Sequence, residues 1–270
     1  MFSLKKLALV AGVSSAALLA NTAFAAVDLS KETKAYQAFV VEQIDALEKG
    51  TAQFVADLKA GKLEEAKKVY PLVRMYYERS EPIAESFGDL DPRIDAREAD
   101  LEKDQIWSGF HKIEKILWTE NTTKGTEKIA DQLLNDIKEL RAKVPTVEVT
   151  GELMVQGAVD LLNEVSTSKI TGEEEIFSHT DLYDFKANVE GAEKIFEILK
   201  PQLEKKDAKL VKELEKQFST VNGLLDKYKV GEKDYKLYTD LSKDDTRALG
   251  EAVNKLGEPL AQMGVILEGN

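Results

Sequence analysis

The sequence predicts an all-α protein built from two four-helix bundles in tandem. Apolar residues recur at steps of three and four along most of the chain, which is the period of one helix face. No segment shows the alternation of apolar and polar residues between turn signals that is typical of a β-strand. With 270 residues, 43% of them hydrophobic, the chain is long enough to bury a large core.

The first 25 residues have the pattern of a secretory signal peptide. Lys5 and Lys6 precede an apolar run at residues 7–20, and residues 23–25 read Ala-Phe-Ala, which is a cleavage pattern. The apolar run is short for a membrane-spanning helix, and the sequence has no Cys at the cleavage site to carry a lipid. We therefore expect a periplasmic protein that is exported, cleaved and not membrane-spanning.

Eight helices are predicted in residues 26–270, and Pro145 divides them into halves of residues 27–145 and 146–270. The second helix contains Pro82, which should kink it. Residues 88–99 form a long connection, and long ordered connections are often functional. The predicted helices cover residues 30–60, 63–87, 106–118, 126–143, 149–170, 180–199, 211–228 and 243–267.

The charge and the residue types limit the classes of function. The formal net charge is −12, and it becomes −14 without the signal peptide, which carries two Lys and no acid. Such a surface repels nucleic acid and anionic lipid, and it suits a cation. The absence of Cys excludes thiolate metal sites and cysteine nucleophiles. With two His in the whole chain, any metal site must consist mostly of oxygen ligands.

The third predicted helix carries a His/Glu pair between the two Trp residues of the chain. Trp107, His111, Glu114 and Trp118 follow one another at steps of four, three and four, so a regular helix would place them on one face. His111 and Glu114 would then either hydrogen-bond each other in a packed helix or aim at a common ligand. The pair alone leaves both interpretations open.

Three acidic segments offer further ligands, although each is also compatible with a solvated face that pairs with nearby Arg residues. Oxygen-rich ligation with one imidazole suits iron, manganese or calcium better than copper(I), and it favours zinc less. The chain has no H-E-x-x-H zinc-peptidase motif, no G-x-S-x-G, no P-loop and no dinucleotide fingerprint. The acidic residues are Glu78, Glu81 and Glu85 around Pro82, then Asp89, Asp91 and Asp95, and finally Glu173, Glu174 and Glu175.

Four blocks of this sequence resemble the imelysin-like, EfeO-type family. They are YERSEPIAE at residues 77–85, DLDPRIDAR at residues 89–97, GFHKIEKILW at residues 109–118, and the segment at residues 171–185. The resemblance implies a pair of four-helix bundles and a periplasmic component of an EfeUOB-type iron uptake system. Its partners would be an EfeU-type inner-membrane permease and an EfeB-type haem peroxidase. The chain resembles the short form, often called EfeM, which lacks the N-terminal cupredoxin domain.

The resemblance also implies a set of metal ligands and a function. His111 and Glu114 match the family's H-x-x-E pair, Glu78, Glu81 and Asp95 match its other acidic positions, and Glu174 matches the acid of its G-x-E segment. The implied function is the capture of ferric or ferrous iron by a monomeric, non-catalytic protein, with zinc, copper or calcium as alternative ions. The family's peptidase label implies a different function, in which Glu114 is a general base beside a metal-bound water. A third alternative is an envelope protein with a structural cation site.

Overall fold

A computed structural model describes residues 27–268, so the predicted signal peptide lies outside the described part of the chain. Regular secondary structure in this range is helical, and one isolated antiparallel bridge joins Lys229 to Tyr235. The all-α prediction is therefore confirmed. The helices are α1 (Ser30–Lys59), α2 (Leu63–Glu78), α3 (Glu81–Ala84), α4 (Asp91–Asp95), α5 (Phe110–Lys115), α6 (Glu127–Lys143), α7 (Gly151–Thr167), α8 (Asp181–Lys206), α9 (Ala208–Asp226) and α10 (Lys243–Glu268).

The long helices pack into two neighbouring bundles. In the first, α1 packs against α2 and α6, and in the second, α7, α8, α9 and α10 pack around one another. The packing of α2 against α8 joins the bundles. None of the helices between residues 27 and 268 combines the length and the apolar character that a bilayer-spanning segment needs. Polar side chains on α2, α5 and α8 thus meet where the bundles adjoin.

The second predicted helix is two helices and not one kinked helix. Helix α2 ends at Glu78, and α3 begins at Glu81 with Pro82 in its first turn. Because Pro82 has no N–H to donate, the carbonyl oxygen of Glu78 accepts instead from Nδ2 of Asn188 on α8, at 3.1 Å. The predicted connection that follows is also partly helical, since it contains α4.

The predicted start of the Trp-flanked helix is wrong. Helix α5 begins at Phe110, whereas Ile106 is 89% exposed and Trp107 lies outside the helix. The indole Nε1 of Trp107 donates to the carbonyl oxygen of Ala96 at 2.7 Å. The periodicity was misleading because Gly109, with φ of +87°, interrupts the regular backbone immediately before the helix.

Gly109 allows α4 and α5 to meet. A Cβ atom at this position would overlap the carbonyl oxygen of Ile94, so the backbones approach more closely than any other residue permits. The neighbouring Ser108 supports this approach, because its hydroxyl donates to the carbonyl oxygen of Arg93 at 2.9 Å. The contact places Asp95, at the end of α4, beside His111, in the first turn of α5.

We expect Gly109→Ala to lower the free energy of unfolding by at least about 3 kcal/mol, because backbone strain of about 1–3 kcal/mol adds to the overlap with Ile94. Gly125→Ala is the matched control. Gly125 also has positive φ, +89°, but a Cβ there meets nothing within 4 Å, so we expect a loss of about 1–2 kcal/mol. Urea unfolding of both variants measures the difference, and equal losses would contradict the close-approach argument.

Candidate metal centre

Carboxylates and cations meet in the interior at the junction of the bundles, and we call this group the acidic centre. The predicted ligands all belong to it, and further residues join them. Its members are buried apart from Asp95, whose side chain is 12% exposed. The acidic centre comprises the carboxylates of Glu78, Glu81, Asp95, Glu114, Glu174, Glu175 and Asp184 and the cationic or titratable side chains of Arg74, Lys169 and His111.

The imidazole of His111 has one satisfied and one unsatisfied nitrogen. Its Nδ1 lies 3.2 Å from Oε2 of Glu114. Its Nε2 is buried without a hydrogen-bond partner, 3.6 Å from Oδ1 of Asp95 and 3.8 Å from Oε1 of Glu174. One ligand atom from each of Asp95, His111 and Glu174 lies within 4.8 Å of the others, a spacing at which three side chains can share a metal ion.

Glu114 holds the imidazole in place. Its Oε1 accepts from the backbone N–H groups of Phe177 and Ser178 at 3.0 and 2.7 Å, and its Oε2 faces His111. Burial would raise the pKa of Glu114, but His111 and the N–H of Ser178 lower it below the usual range. A carboxylate in this position orients a ligating His and fixes which nitrogen faces the ion. Glu114 thus contacts Nδ1 of His111, whereas Asp95 and Glu174 lie near Nε2, and Glu114 also forms a second candidate ligand group with His111 and Glu175.

Arg74 of α2 is a fully buried cation that contacts five carboxylates. Its Nε lies 3.2 Å from Oδ1 of Asp184, and its Nη2 lies 3.5 Å from Oε1 of Glu174. The other three contacts are with Glu78, Asp95 and Glu175. A buried guanidinium is tolerated because several carboxylates surround it, and they in turn depend on its charge.

Lys169 is the second fully buried cation. It lies in a single 3-10 turn after α7, where the sequence predicted the continuation of the helix. Its Nζ contacts Oε2 of Glu78 and lies 3.6 Å from Oε2 of Glu81 and 3.8 Å from Oε1 of Glu174. Oε1 of Glu164 in α7 lies 3.6 Å from the same Nζ, and the side chain of Glu164 is more exposed than the other three. Glu174 is therefore shared between Lys169 and the group around His111.

The carboxyl groups of the acidic centre are of two kinds, those with lowered and those with raised pKa values. Burial would raise the pKa of Glu78 and Glu174, but Lys169 and Arg74, together with His111 for Glu174, lower both pKa values. Burial raises the pKa of Glu81, Glu175 and Asp184 well above the usual range, despite the nearby cations. Burial thus favours the protonated form of these three carboxyl groups more strongly than it is favoured in an exposed carboxyl group.

Asp95 and His111 both titrate far from their usual pH. Burial raises the pKa of Asp95 to about 7, against the opposing charge of Arg74. Burial and Arg74 would lower the pKa of His111, but the carboxylates of Glu114, Glu174 and Asp95 raise it to about 9. The imidazole is therefore protonated at neutral pH in the metal-free protein.

An acidic cleft leads from the surface to Asp95 and Glu174. Its volume is about 470 Å³, and Arg97 lies at its rim with Nη1 3.6 Å from Oε2 of Glu174. A cleft lined mostly by negative charge concentrates cations. The carboxylates that line it belong to Glu81, Glu85, Asp91, Asp95, Asp100, Glu102, Glu164 and Glu174.

Sequence reasoning missed both internal cations. The sequence singles out neither Lys169 nor Arg74, because neither position carries a signal that distinguishes a buried cation from a surface one. Among the three adjacent acids, Glu173 is exposed, whereas Glu174 and Glu175 both face inward. His179 belongs to none of the groups of potential metal ligands in residues 27–268.

The fold and the acidic centre define a helical-bundle protein with a buried centre of His and carboxylate side chains. The Imelysin family profile, Peptidase_M75, matches residues 32–263. An Efem/EfeO family lipoprotein of Staphylococcus haemolyticus JCSC1435 is 58% identical over 244 residues, covering 89% of this chain and 85% of that protein. One of Staphylococcus aureus NCTC 8325 is 56% identical over 245 residues, covering 89% and 86%. The chain belongs to the imelysin family and is an EfeM/EfeO-type member of it.

A solved structure supports the fold. The crystal structure of a precursor assigned as iron-regulated protein A, from Parabacteroides distasonis ATCC 8503, superposes with a TM-score of 0.61 and covers 90% of this chain and 92% of its own. At 16% sequence identity this likeness concerns the architecture alone.

We expect Arg74→Met to lower the free energy of unfolding by about 3–5 kcal/mol, because it leaves buried carboxylates without their cation. Arg141→Met is the control, since Arg141 pairs with the exposed Asp45, and its loss should cost about 0–1 kcal/mol. Chemical unfolding of both metal-free variants tests this. A loss below about 1 kcal/mol for Arg74→Met would show that the acidic centre does not depend on the guanidinium.

Proposed function

We propose that this chain is an extracytoplasmic iron-binding protein that captures the ion in the acidic centre and delivers it to a membrane permease. The observation that carries the proposal is the free Nε2 of His111, buried and facing Asp95 and Glu174 at the inner end of the acidic cleft. An unsatisfied buried nitrogen is costly unless a ligand uses it. A cation that reached this point would gain an imidazole and two carboxylates as ligands.

The ligand chemistry supports iron as the cargo. One imidazole among carboxylates suits hard and borderline ions, and ferric and ferrous iron both accept such ligands. Zinc, copper and calcium are the competing ions against which selectivity is to be measured. Family membership supports the same cargo, because the EfeO-type resemblance implies a role in iron uptake. Glu78 and Glu81 would take part as carboxylates next to the ion, and Glu114 through its contact with His111.

The partners and the location follow from the same resemblance. We propose an EfeU-type inner-membrane permease as the acceptor of the ion and an EfeB-type haem peroxidase as a further component of the system. The staphylococcal relatives are named lipoproteins, which supports a place in the cell envelope for this chain as well. The periplasm is the compartment we propose.

The geometry favours capture over peptide hydrolysis. A general base must be able to take a proton from a metal-bound water and should have a pKa near the working pH. Both oxygens of Glu114 are occupied, one by the backbone N–H groups of Phe177 and Ser178 and the other by His111, and its pKa is lowered. Glu114 is therefore suited to positioning His111 and unsuited to activating water.

The proposal is tested by comparing the two His residues of the chain. We expect His111→Asn to lower the affinity for iron by at least about 100-fold, since loss of a ligand should exceed the effect of losing its orienting partner. His179→Asn is the matched control, because Asn tolerates the positive φ of +59° at that position. Calorimetry with ferrous iron under anaerobic conditions, and with a weak ferric chelate, measures both variants.

If His111→Asn and the wild type bind iron with equal affinity, the acidic centre is not the iron site and the proposed function is wrong on this point. Absence of iron binding in the wild type, with tight calcium binding, would favour a structural cation site. Release of peptide fragments by the metal-loaded protein, lost in Glu114→Gln, would favour the peptidase alternative.

Metal binding should depend on pH because the imidazole must lose a proton to bind an ion. Since the pKa of His111 is raised to about 9 and that of Asp95 to about 7 in the metal-free protein, the affinity should fall about tenfold for each pH unit between these two values, and more steeply below the lower one. Calorimetry with manganese(II) in two buffers of different ionisation enthalpy counts the protons released. An affinity that stays constant between about pH 5 and pH 8 would contradict this coupling.

A further inference from the structure

The surroundings of Lys169 resemble a metal site that already holds a cation. Its ammonium group is fully buried among carboxylate oxygens of Glu78, Glu81, Glu164 and Glu174. Four converging carboxylates are a ligand set that a divalent cation accepts. A buried ammonium group without partners is unfavourable. The carboxylates around it likewise need a positive charge among them, and Lys169 supplies that charge.

Two of the carboxylates around Lys169, those of Glu78 and Glu81, are also held by partners other than Lys169. The side-chain amide of Asn188 donates from Nδ2 to Oε2 of Glu78 at 3.0 Å and to Oε2 of Glu81 at 2.8 Å. Arg74 binds the other oxygen of Glu78. Removal of the ammonium would thus leave an arranged group of carboxylates and not a collapsed one.

Glu174 connects this position with the proposed iron site. Its Oε1 lies 3.8 Å from Nζ of Lys169 and 3.8 Å from the unsatisfied Nε2 of His111. Paired metal ions in proteins are commonly close together and act as one unit. The arrangement here has the form of such a pair, with a free position next to His111 and Asp95 and a position filled by Lys169.

We propose that the ammonium group of Lys169 takes the place of a second metal ion and so limits the acidic centre to one ion. The inference rests on the proposed function and specifies its stoichiometry. Replacement of Lys169 by a neutral residue of similar length converts the chain into a protein that binds two ions. The second ion would occupy the group of Glu78, Glu81, Glu164 and Glu174.

The experiment compares manganese(II) binding by the wild type, Lys169→Met and Lys169→Arg. We expect one ion for the wild type and for Lys169→Arg, and one ion more for Lys169→Met, measured by calorimetry and metal analysis. Because Glu174 would bridge the two ions, the electron paramagnetic resonance spectrum of doubly loaded Lys169→Met should show coupled manganese. A merely structural lysine would produce no such coupling.

The stability of the variants gives a second readout. Without metal, Lys169→Met should unfold at a lower temperature than the wild type, because Glu78 loses its buried cation. Manganese(II) should restore the loss and stabilise Lys169→Met more than it stabilises the wild type, since an ion that binds the folded state replaces the missing charge. Lys169→Arg keeps the charge and should show no extra stabilisation.

A charge-neutral variant keeps the inference testable if Lys169→Met does not fold. Lys169→Met/Glu164→Gln removes one positive and one negative charge and keeps the carboxylates of Glu78, Glu81 and Glu174, so it should still bind one ion more than the wild type. A gain of no ion in either variant, or no folding of either in the presence of manganese(II), overturns the inference. If the wild type binds no ion, the proposed function fails, and a gained ion in Lys169→Met still supports the inference.

Discussion

The burial of charge in the acidic centre is the constraint on which the rest of the structure depends. Seven carboxyl groups lie there with Arg74, Lys169 and His111, far from the screening of bulk water. The carboxylates with lowered pKa values, Glu78, Glu114 and Glu174, match these three cations in number, whereas burial raises the pKa values of most of the others. Protons on the carboxyl groups with raised pKa values would bring the metal-free centre towards neutrality. In the proposed function, an entering metal ion would replace those protons as the source of positive charge.

Local backbone features bring these groups together from distant parts of the chain. Pro82 interrupts the helix after α2, and the carbonyl oxygen of Glu78 therefore accepts a hydrogen bond from Asn188. This hydrogen bond joins the end of α2 to α8. Gly109 lets α5 begin against the end of α4, which places His111 beside Asp95. Each feature disfavours a continuous helix and positions a member of the acidic centre. Departures from regular helix in this fold therefore coincide with the candidate site, as expected where function competes with local regularity.

The sequence predicts the helices better than it predicts the centre they surround. Helix existence follows from hydrophobic periodicity, which is a local property, and α1 and α10 agree with it closely. The steps from Trp107 to Trp118 also fit a helix, yet Gly109 adopts a conformation that periodicity does not encode. A buried cation such as Lys169 has the same local sequence signal as a solvated one. Its burial depends on the carboxylate of Glu78 in the distant helix α2 as well as on those of Glu164 and Glu174, which are nearby in the sequence, and only the tertiary structure brings all three into contact with it.

If the acidic centre captures an ion as proposed, the order in which its side chains are held would make that capture reversible. Glu114 is fixed by backbone N–H groups and fixes His111, and Arg74 and Lys169 fix the carboxylates of Glu78 and Glu174. Such a preorganised set needs little reordering when an ion arrives, which favours binding. The same ion must displace protons and compete with resident cations, which weakens its hold and ties it to pH. Tight positioning combined with this competition would suit the proposed carrier, which must also release its ion.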